Sequence, residues 1–188
     1  MDAVSRLLGQ RRFHELTIDD VMQQAGLSRT VFYRHFASLA DVVLKLLDGL
    51  LGDVAAETEQ SDPRDRDVLL RTLALAVGVF RRHGRVLLAF DDAARLDMNI
   101  AILYRGLAER TVEAITELLE RGEREGHTPP LDTGEVARAL AAMNGGYLLD
   151  LVARNPEFDT ETALETLYTV WSRTTWPDTP AHSEAPAD

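Results

Sequence analysis

Apolar residues recur every three or four positions along most of the chain, and this spacing predicts helices. His83-Gly84 is typical of a helix end and separates two of the predicted helices. No strand-like alternation and no internal repeat is visible. The pattern predicts an all-α fold, with helical stretches at residues 38–58, 64–82, 85–96, 98–124, 132–153 and 159–176.

The most informative local pattern is the stretch TIDDVMQQAGLSRTVFYRHFASLADV, residues 17–42. Thr17 with Asp20 matches a capping box, which predicts a helix start, and Ser38 with Asp41 repeats the pattern. Gly26 stands where a tight turn needs a positive φ or a close helix approach. These signals predict helix-turn-helix geometry, in which the second helix enters the major groove of DNA.

The second of these helices, starting at Ser28, has two different faces. Phe32 and Phe36 are four residues apart and would face inward. The opposite face suits DNA, because Arg pairs with guanine or phosphate and hydroxyl and His groups donate to phosphate oxygens. Helix starts add backbone N–H groups for phosphate. The candidate DNA-binding residues are Thr17, Ser28, Arg29, Thr30, Tyr33, Arg34, His35 and Ser38. The alternative is a solvated helical hairpin with ordinary surface residues.

The order of residues in this region resembles the TetR family of bacterial transcriptional repressors. The resemblance covers about residues 3–48, and two later stretches, AAMNGGYLL and ALETLYTVWSRTTW, resemble the EthR-type branch of that family. It implies a homodimeric repressor with one DNA-binding head per protomer. Ligand binding would move the helix at residues 38–58, which connects the head to the rest of the protomer, and would change the distance between the two heads. The matching residues are Leu16-Thr17-Ile18, Val21, Ala25-Gly26-Leu27-Ser28, Phe32-Tyr33-Arg34-His35-Phe36 and Ser38.

The chain departs from the family's pattern at several positions. Family heads usually have a longer first helix, which begins before the position of Met1 here. They often carry Thr where this chain has Val31, Lys where it has Leu39, and a small residue at the position of Met22. The absence of this Lys and the shorter first helix remove contacts to phosphate. We therefore expect weaker DNA binding, or a start codon upstream of Met1.

The net charge of −11 is unevenly distributed. Residues 1–48 hold six basic and six acidic side chains, so the whole excess lies in residues 49–188. An acidic body is repelled by DNA and helps to orient a neutral head toward it. The chain has no cysteine, which excludes disulfides and thiolate metal sites. No apolar run approaches the ~20 residues of a membrane span, so we expect a cytoplasmic protein without a membrane partner.

The last two predicted helices favour a homodimer. Residues 136–152 are small or apolar at nearly every position, which predicts burial on all sides. The simplest account is a four-helix bundle of these two helices with their copies. Twofold symmetry would suit a palindromic operator. The alternative is a central core helix in a monomer. The second apolar stripe of the bundle would be Leu164, Leu167, Tyr168 and Trp171.

Aromatic and sulfur-containing side chains across the body helices indicate a pocket for a small apolar effector. Asn144 is the one amide in an otherwise apolar face, and a buried amide needs partners. The alternative is that the aromatics form plain core and that Asn144 bonds to a neighbouring helix. The candidate ligand-binding residues are Phe80, Phe90, Met98, Tyr104, Met143, Asn144, Tyr147 and Trp171.

These patterns divide the chain into a three-helix DNA-binding domain (1–48), a larger helical ligand-binding and dimerisation domain (49–176) and a disordered tail (177–188). The predicted function is a DNA-binding transcriptional regulator, a repressor that a small lipophilic ligand releases from double-stranded operator DNA. The alternative is a helical ligand-binding or protein-interaction dimer with weak or lost operator binding. The five His residues are scattered, so we expect no metal site, no cofactor and no enzymatic activity.

Overall fold

The computed structural model describes residues 2–8, 10–11, 13–60 and 66–175, and every regular element within them is helical. The all-α class predicted from the sequence is confirmed. The tail predicted at 177–188 lies outside the described residues. The elements are α1 (Asp2–Leu8), a 3-10 turn (Phe13–Glu15), α2 (Ile18–Ala25), α3 (Arg29–His35), α4 (Leu39–Gln60), α5 (Arg66–Leu96), α6 (Met98–Arg124), α7 (Thr133–Arg154) and α8 (Thr160–Thr175).

Helix α2 begins and ends as its sequence predicts. The Asp20 N–H donates to Thr17 Oγ1 at 3.1 Å, and the Thr17 N–H donates to Asp20 Oδ2 at 2.9 Å. Gly26 ends the helix with a φ of 66°, a conformation that costs little only without a Cβ. Helix α4 starts in the same way, since the Asp41 N–H donates to Ser38 Oγ at 3.1 Å. Local capping therefore fixes the turns that place α3.

The buried side chains form two clusters. The first holds the core of the N-terminal head, including Phe32 and Leu47, and continues without a break to Phe90 and Ile100 in α5 and α6. The second cluster is built from α5, α6, α7 and α8, and Phe80 packs against both clusters. The head is therefore attached to the body through shared apolar packing. Among the described helices, none has the length and apolar character of a membrane span.

The helix end predicted at His83-Gly84 is wrong, because α5 runs through both residues to Leu96. Gly84 is buried where α5 crosses α7. A Cβ added at this position would lie 2.4 Å from Cγ2 of Val152. The glycine is therefore required by the close approach of two helices, and it does not terminate α5.

Helix α7 is covered on only one side within the protomer. Its side facing the second cluster buries Leu140, Leu148 and Val152. The predicted stripe of α8 faces the same cluster: Leu167 and Trp171 are buried there, so they pack inside the protomer and do not face a partner. The side of α7 that stays exposed combines four small residues with four charged ones, namely Ala139, Ala142, Gly146 and Ala153 with Glu135, Arg138, Asp150 and Arg154.

We predict that Gly84→Ala destabilises the fold by about 1–3 kcal/mol, because the new methyl group overlaps Val152. The matched control is Gly78→Ala in the same helix, whose Cβ would meet only Arg82 Nη2 at 3.8 Å. This control should be neutral or stabilising by up to about 1 kcal/mol, because Ala is the better helix former. Urea unfolding at fixed protein concentration measures both. Equal stabilities of the two variants would contradict the tight crossing.

Candidate DNA-binding helix and ligand cavity

Helix α3 is anchored on one side and exposed on the other. Phe32 is only 2% exposed and packs into the first cluster, whereas its neighbour Tyr33 is 54% exposed. The face assignment made from the Phe32 and Phe36 spacing agrees with this, since Phe36 also packs partly against the cluster. All five polar candidates of this helix are exposed: Arg29, Thr30, Tyr33, Arg34 and His35.

Arg29 is oriented by contacts on both of its sides. Its Nη1 lies 3.2 Å from Asp19 Oδ2 at the start of α2. Its guanidinium carbon lies 5.9 Å from the centre of the Tyr33 ring. Because both partners are exposed, the ion pair contributes little to stability. Arg29 and Tyr33 are therefore arranged together on the outer face.

A carboxylate lies at each of the helix starts near Thr17 and Ser38. At the start of α4, Asp41 Oδ2 accepts from the Ala37 N–H at 3.1 Å. At the start of α2, hydrogen bonds from Thr17 hold the pKa of Asp20 below its ordinary value, so this carboxyl stays ionised at neutral pH. These negative charges compete with phosphate for the helix ends. Ser28 differs, since its side chain makes no capping hydrogen bond to α3.

A partly enclosed cavity of about 50 Å³ lies in the body, between α4, α5, α6, α7 and α8. Two of the predicted ligand-binding residues line it, Asn144 and Trp171. The Trp171 Nε1–H donates to Asn144 Oδ1 at 3.1 Å. Asn144 therefore makes the bond to a neighbouring helix that was the alternative expectation, and it also lines the cavity.

A wider groove of about 750 Å³ adjoins the cavity between α5, α6 and α7. Phe80, Tyr104 and Asn144 line it. Burial raises the pKa of Tyr104 to about 12, so its hydroxyl remains protonated. Charged side chains such as Asp91 and Arg138 also line this groove. The cavity and the groove share four lining residues and therefore lie next to each other: Val54, Ala76, Thr111 and Asn144.

The other four predicted ligand-binding residues line neither space. Phe90 is fully buried in the first cluster, with its ring centre 6.1 Å from that of Phe13. Met98 is 72% exposed at the start of α6. Met143 and Tyr147 pack against the second cluster. The sequence thus indicated residue types suited to a pocket without showing which helix faces converge.

Sequence reasoning missed the residues that give this cavity its polarity. Among the described residues, the buried polar side chains are all threonines, and all of them line the cavity. Their signal in the sequence is a threonine within an apolar helical stripe, as at Thr72 between Leu69 and Leu73. The four buried threonines are Thr58, Thr72, Thr128 and Thr175.

Helix α4 connects this cavity with the head. Its first half buries Leu47 in the first cluster, and its second half supplies Val54 and Thr58 to the cavity wall. Asp48 forms an ion pair with Arg110 of α6. The Arg121 Nη1–H of α6 donates to the Glu59 carbonyl at 2.8 Å. One helix therefore belongs to the head's core and to the wall of the cavity.

An exposed polar α3 on a capped helix-turn-helix head, joined to a helical body, defines a helix-turn-helix DNA-binding protein. Two family models match the chain. "Bacterial regulatory proteins, tetR family" matches residues 1–46, and "BetI-type transcriptional repressor, C-terminal" matches residues 63–171. The chain belongs to the TetR family of transcriptional regulators, whose members bind operator DNA and act as dimers.

Individual relatives agree with this assignment. The chain is 28% identical to the HTH-type transcriptional regulator EthR of Mycolicibacterium smegmatis over an alignment of 177 residues, and the match covers 88% of this chain and 79% of that protein. It is also 28% identical to EthR of Mycobacterium tuberculosis, over 88% of this chain and 80% of that protein. These homologues are transcriptional regulators and not enzymes.

Solved structures share the fold. A TetR-family transcriptional regulator from Syntrophomonas wolfei superposes with a TM-score of 0.79, at 16% identity. The match covers 92% of this chain and 90% of that one.

Proposed function

We propose that the protein represses transcription by binding a palindromic operator as a homodimer, and that a small lipophilic ligand releases it. The observation that carries this proposal is helix α3, which is anchored by Phe32 and presents five exposed polar side chains. Arg, Tyr, Thr and His are suited to base edges and phosphates. As a regulator of bacterial genes, the protein would act in the cytoplasm. The proposed DNA-binding domain is residues 1–48, and the proposed ligand-binding and dimerisation domain is residues 49–176.

The exposed side of α7 supports the proposed dimer. Its small residues, such as Ala142 and Gly146, allow helix backbones to approach closely. Val170 on α8 adds an apolar side chain that is 39% exposed. A twofold axis at these helices would pair identical surfaces. The dimer would then place two copies of α3 on the two half-sites of an operator.

Helix α4 supports the proposed release mechanism. A ligand in the cavity contacts Val54 and Thr58, which lie on the same helix as Leu47 of the head core. A ligand that binds more tightly when α4 is displaced would favour the arrangement of heads that does not fit DNA. Reciprocally, operator DNA would weaken ligand binding by the same factor by which the ligand weakens operator binding.

One observation favours the alternative, a dimer with weak or lost operator binding. Leu39, at a position where the family often has Lys, packs partly against the first cluster. Its aliphatic side chain has no donor for a phosphate. The test that separates the two functions is a gel shift with the DNA flanking the protein's own gene. A shift supports the regulator, and no shift at low salt would leave the alternative.

Within such a complex, we predict that Arg34→Ala weakens operator binding and lowers the slope of log K against log salt. The expected change in slope is about two, one per protomer, because each Arg34 neutralises one phosphate. Arg124→Ala is the matched control, since Arg124 is also exposed but ends α6 in the body. Fluorescence anisotropy across a salt series measures both. An unchanged slope in Arg34→Ala would contradict the assignment of this face.

For the dimer, we predict that Gly146→Glu yields folded monomers. A Cβ at Gly146 meets no atom within 4 Å in the protomer, so the substitution should leave the protomer folded. It places a charge on the proposed partner-facing side of α7, at the edge of the groove that Gly146 also lines. Gly106→Glu on α6 is the matched control, because it is also exposed and has no atom within 4 Å of a Cβ. Sedimentation velocity and circular dichroism measure assembly and folding. A dimeric Gly146→Glu protein would place the interface elsewhere.

A further inference from the structure

The cavity has a chemical preference that its apolar lining alone would not give. Buried hydroxyls cost free energy unless they are hydrogen-bonded, and valine has nearly the same shape as threonine without that cost. Yet all the buried polar side chains of the described residues are threonines, and all of them line this one cavity. A purely structural core gives no reason for this concentration.

Three of the four threonine hydroxyls, those of Thr58, Thr72 and Thr175, donate to a carbonyl of their own helix. Thr58 Oγ1 donates to the Val54 carbonyl at 2.8 Å, and Thr175 Oγ1 donates to the Trp171 carbonyl at 2.9 Å. A hydroxyl has one proton and two lone pairs. Each of these oxygens, having given its proton to its own helix, can serve the cavity as an acceptor. This part of the wall therefore suits a ligand that donates.

Asn144 supplies the opposite group. The indole of Trp171 can only donate, which identifies the amide atom at 3.1 Å as oxygen and leaves the amide NH₂ as the remaining polar group. Asn144 lines the cavity, so its NH₂ is suited to an acceptor on the ligand. A group that both donates and accepts matches this wall better than a group that only accepts.

The cavity also selects against charge. None of the described residues that line it is acidic, basic or His. A charged ligand would be buried there without a partner, which is costly. The adjoining groove offers a larger space for the rest of a ligand, with Phe80, Leu88 and Leu149 on its apolar walls. A neutral polar end in the cavity and an apolar body in the groove therefore fit together.

We propose that the effector is a neutral, mainly apolar alcohol whose hydroxyl lies among Thr58, Thr175 and Asn144. This inference rests on the proposed function, because it specifies the ligand of the same cavity. It excludes fatty acids and other anions, and it ranks alcohols above ethers and hydrocarbons of equal size. A site built to hydrogen-bond a hydroxyl rejects the analogue that lacks one.

The test compares isomers on the full-length protein. The probes are 1-octanol against heptyl methyl ether and 3-phenylpropan-1-ol against 2-phenylethyl methyl ether, with nonane and octanoate as further references. Isothermal titration calorimetry gives each Kd. We expect each alcohol to bind roughly three- to ten-fold more tightly than its ether, as one net hydrogen bond provides.

Variants then locate the preference. Thr58→Val and Thr175→Val should reduce the alcohol-to-ether ratio toward one, and Thr58→Ser should keep it. Thr116→Val is the matched control, because Thr116 Oγ1 also donates to a carbonyl four residues back, that of Val112, at 2.8 Å, but does not line the cavity. Melting temperatures report whether each variant is folded. The isomer comparison on the unmodified protein stands even where a variant does not fold.

The outcomes separate the two levels of the proposal. Alcohols and ethers that bind equally well to the unmodified protein would overturn the alcohol inference and leave a lipophilic effector standing. A preference that survives both valine substitutions would also overturn it. Failure of every probe to bind would overturn the lipophilic effector as well, whereas DNA binding is measured separately by the gel shift.

Discussion

The architecture depends on helix α4 being shared by two cores. Leu47 is completely buried among side chains of the head, and Thr58, three turns later, is buried at the cavity. Since an α-helix is stiff over this length, a displacement of one end is transmitted to the other. The Asp48–Arg110 ion pair and the bond from Arg121 to the Glu59 carbonyl join the same helix to α6. Any coupling between ligand and operator therefore has a direct mechanical route.

Local signals in the sequence were sufficient for the head. The signals were the capping pairs, the turn glycine and the spacing of Phe32 and Phe36. Each acts within a few residues, and together they predicted α2, α3 and the exposed face correctly. The error at Gly84 has a different origin. A glycine that ends a helix and a glycine that admits a neighbouring helix look alike in sequence, and only the contact with Val152 tells them apart.

The cavity was only partly predictable. Asn144 was chosen as the one amide in an apolar face, and it does meet Trp171. Trp171, Phe90 and Met98 were all chosen for chemical type, and the last two lie elsewhere. Which residues converge depends on how five helices cross, and hydrophobic periodicity does not specify crossing angles. Threonines on apolar stripes were overlooked because a threonine can bond to its own helix, and it then resembles valine in a periodic pattern.

The coupling through α4 is tested most directly by filling the cavity permanently. Thr111 is half-buried on α6 and lines both the cavity and the groove, so the ring of Thr111→Phe would fill space at their shared wall. Fluorescence anisotropy measures the operator affinity of this variant and of Ile102→Phe, an exposed control on the same helix. Operator affinity should fall roughly ten-fold in Thr111→Phe and stay unchanged in the control. A folded, dimeric Thr111→Phe protein with unchanged operator affinity would contradict the account.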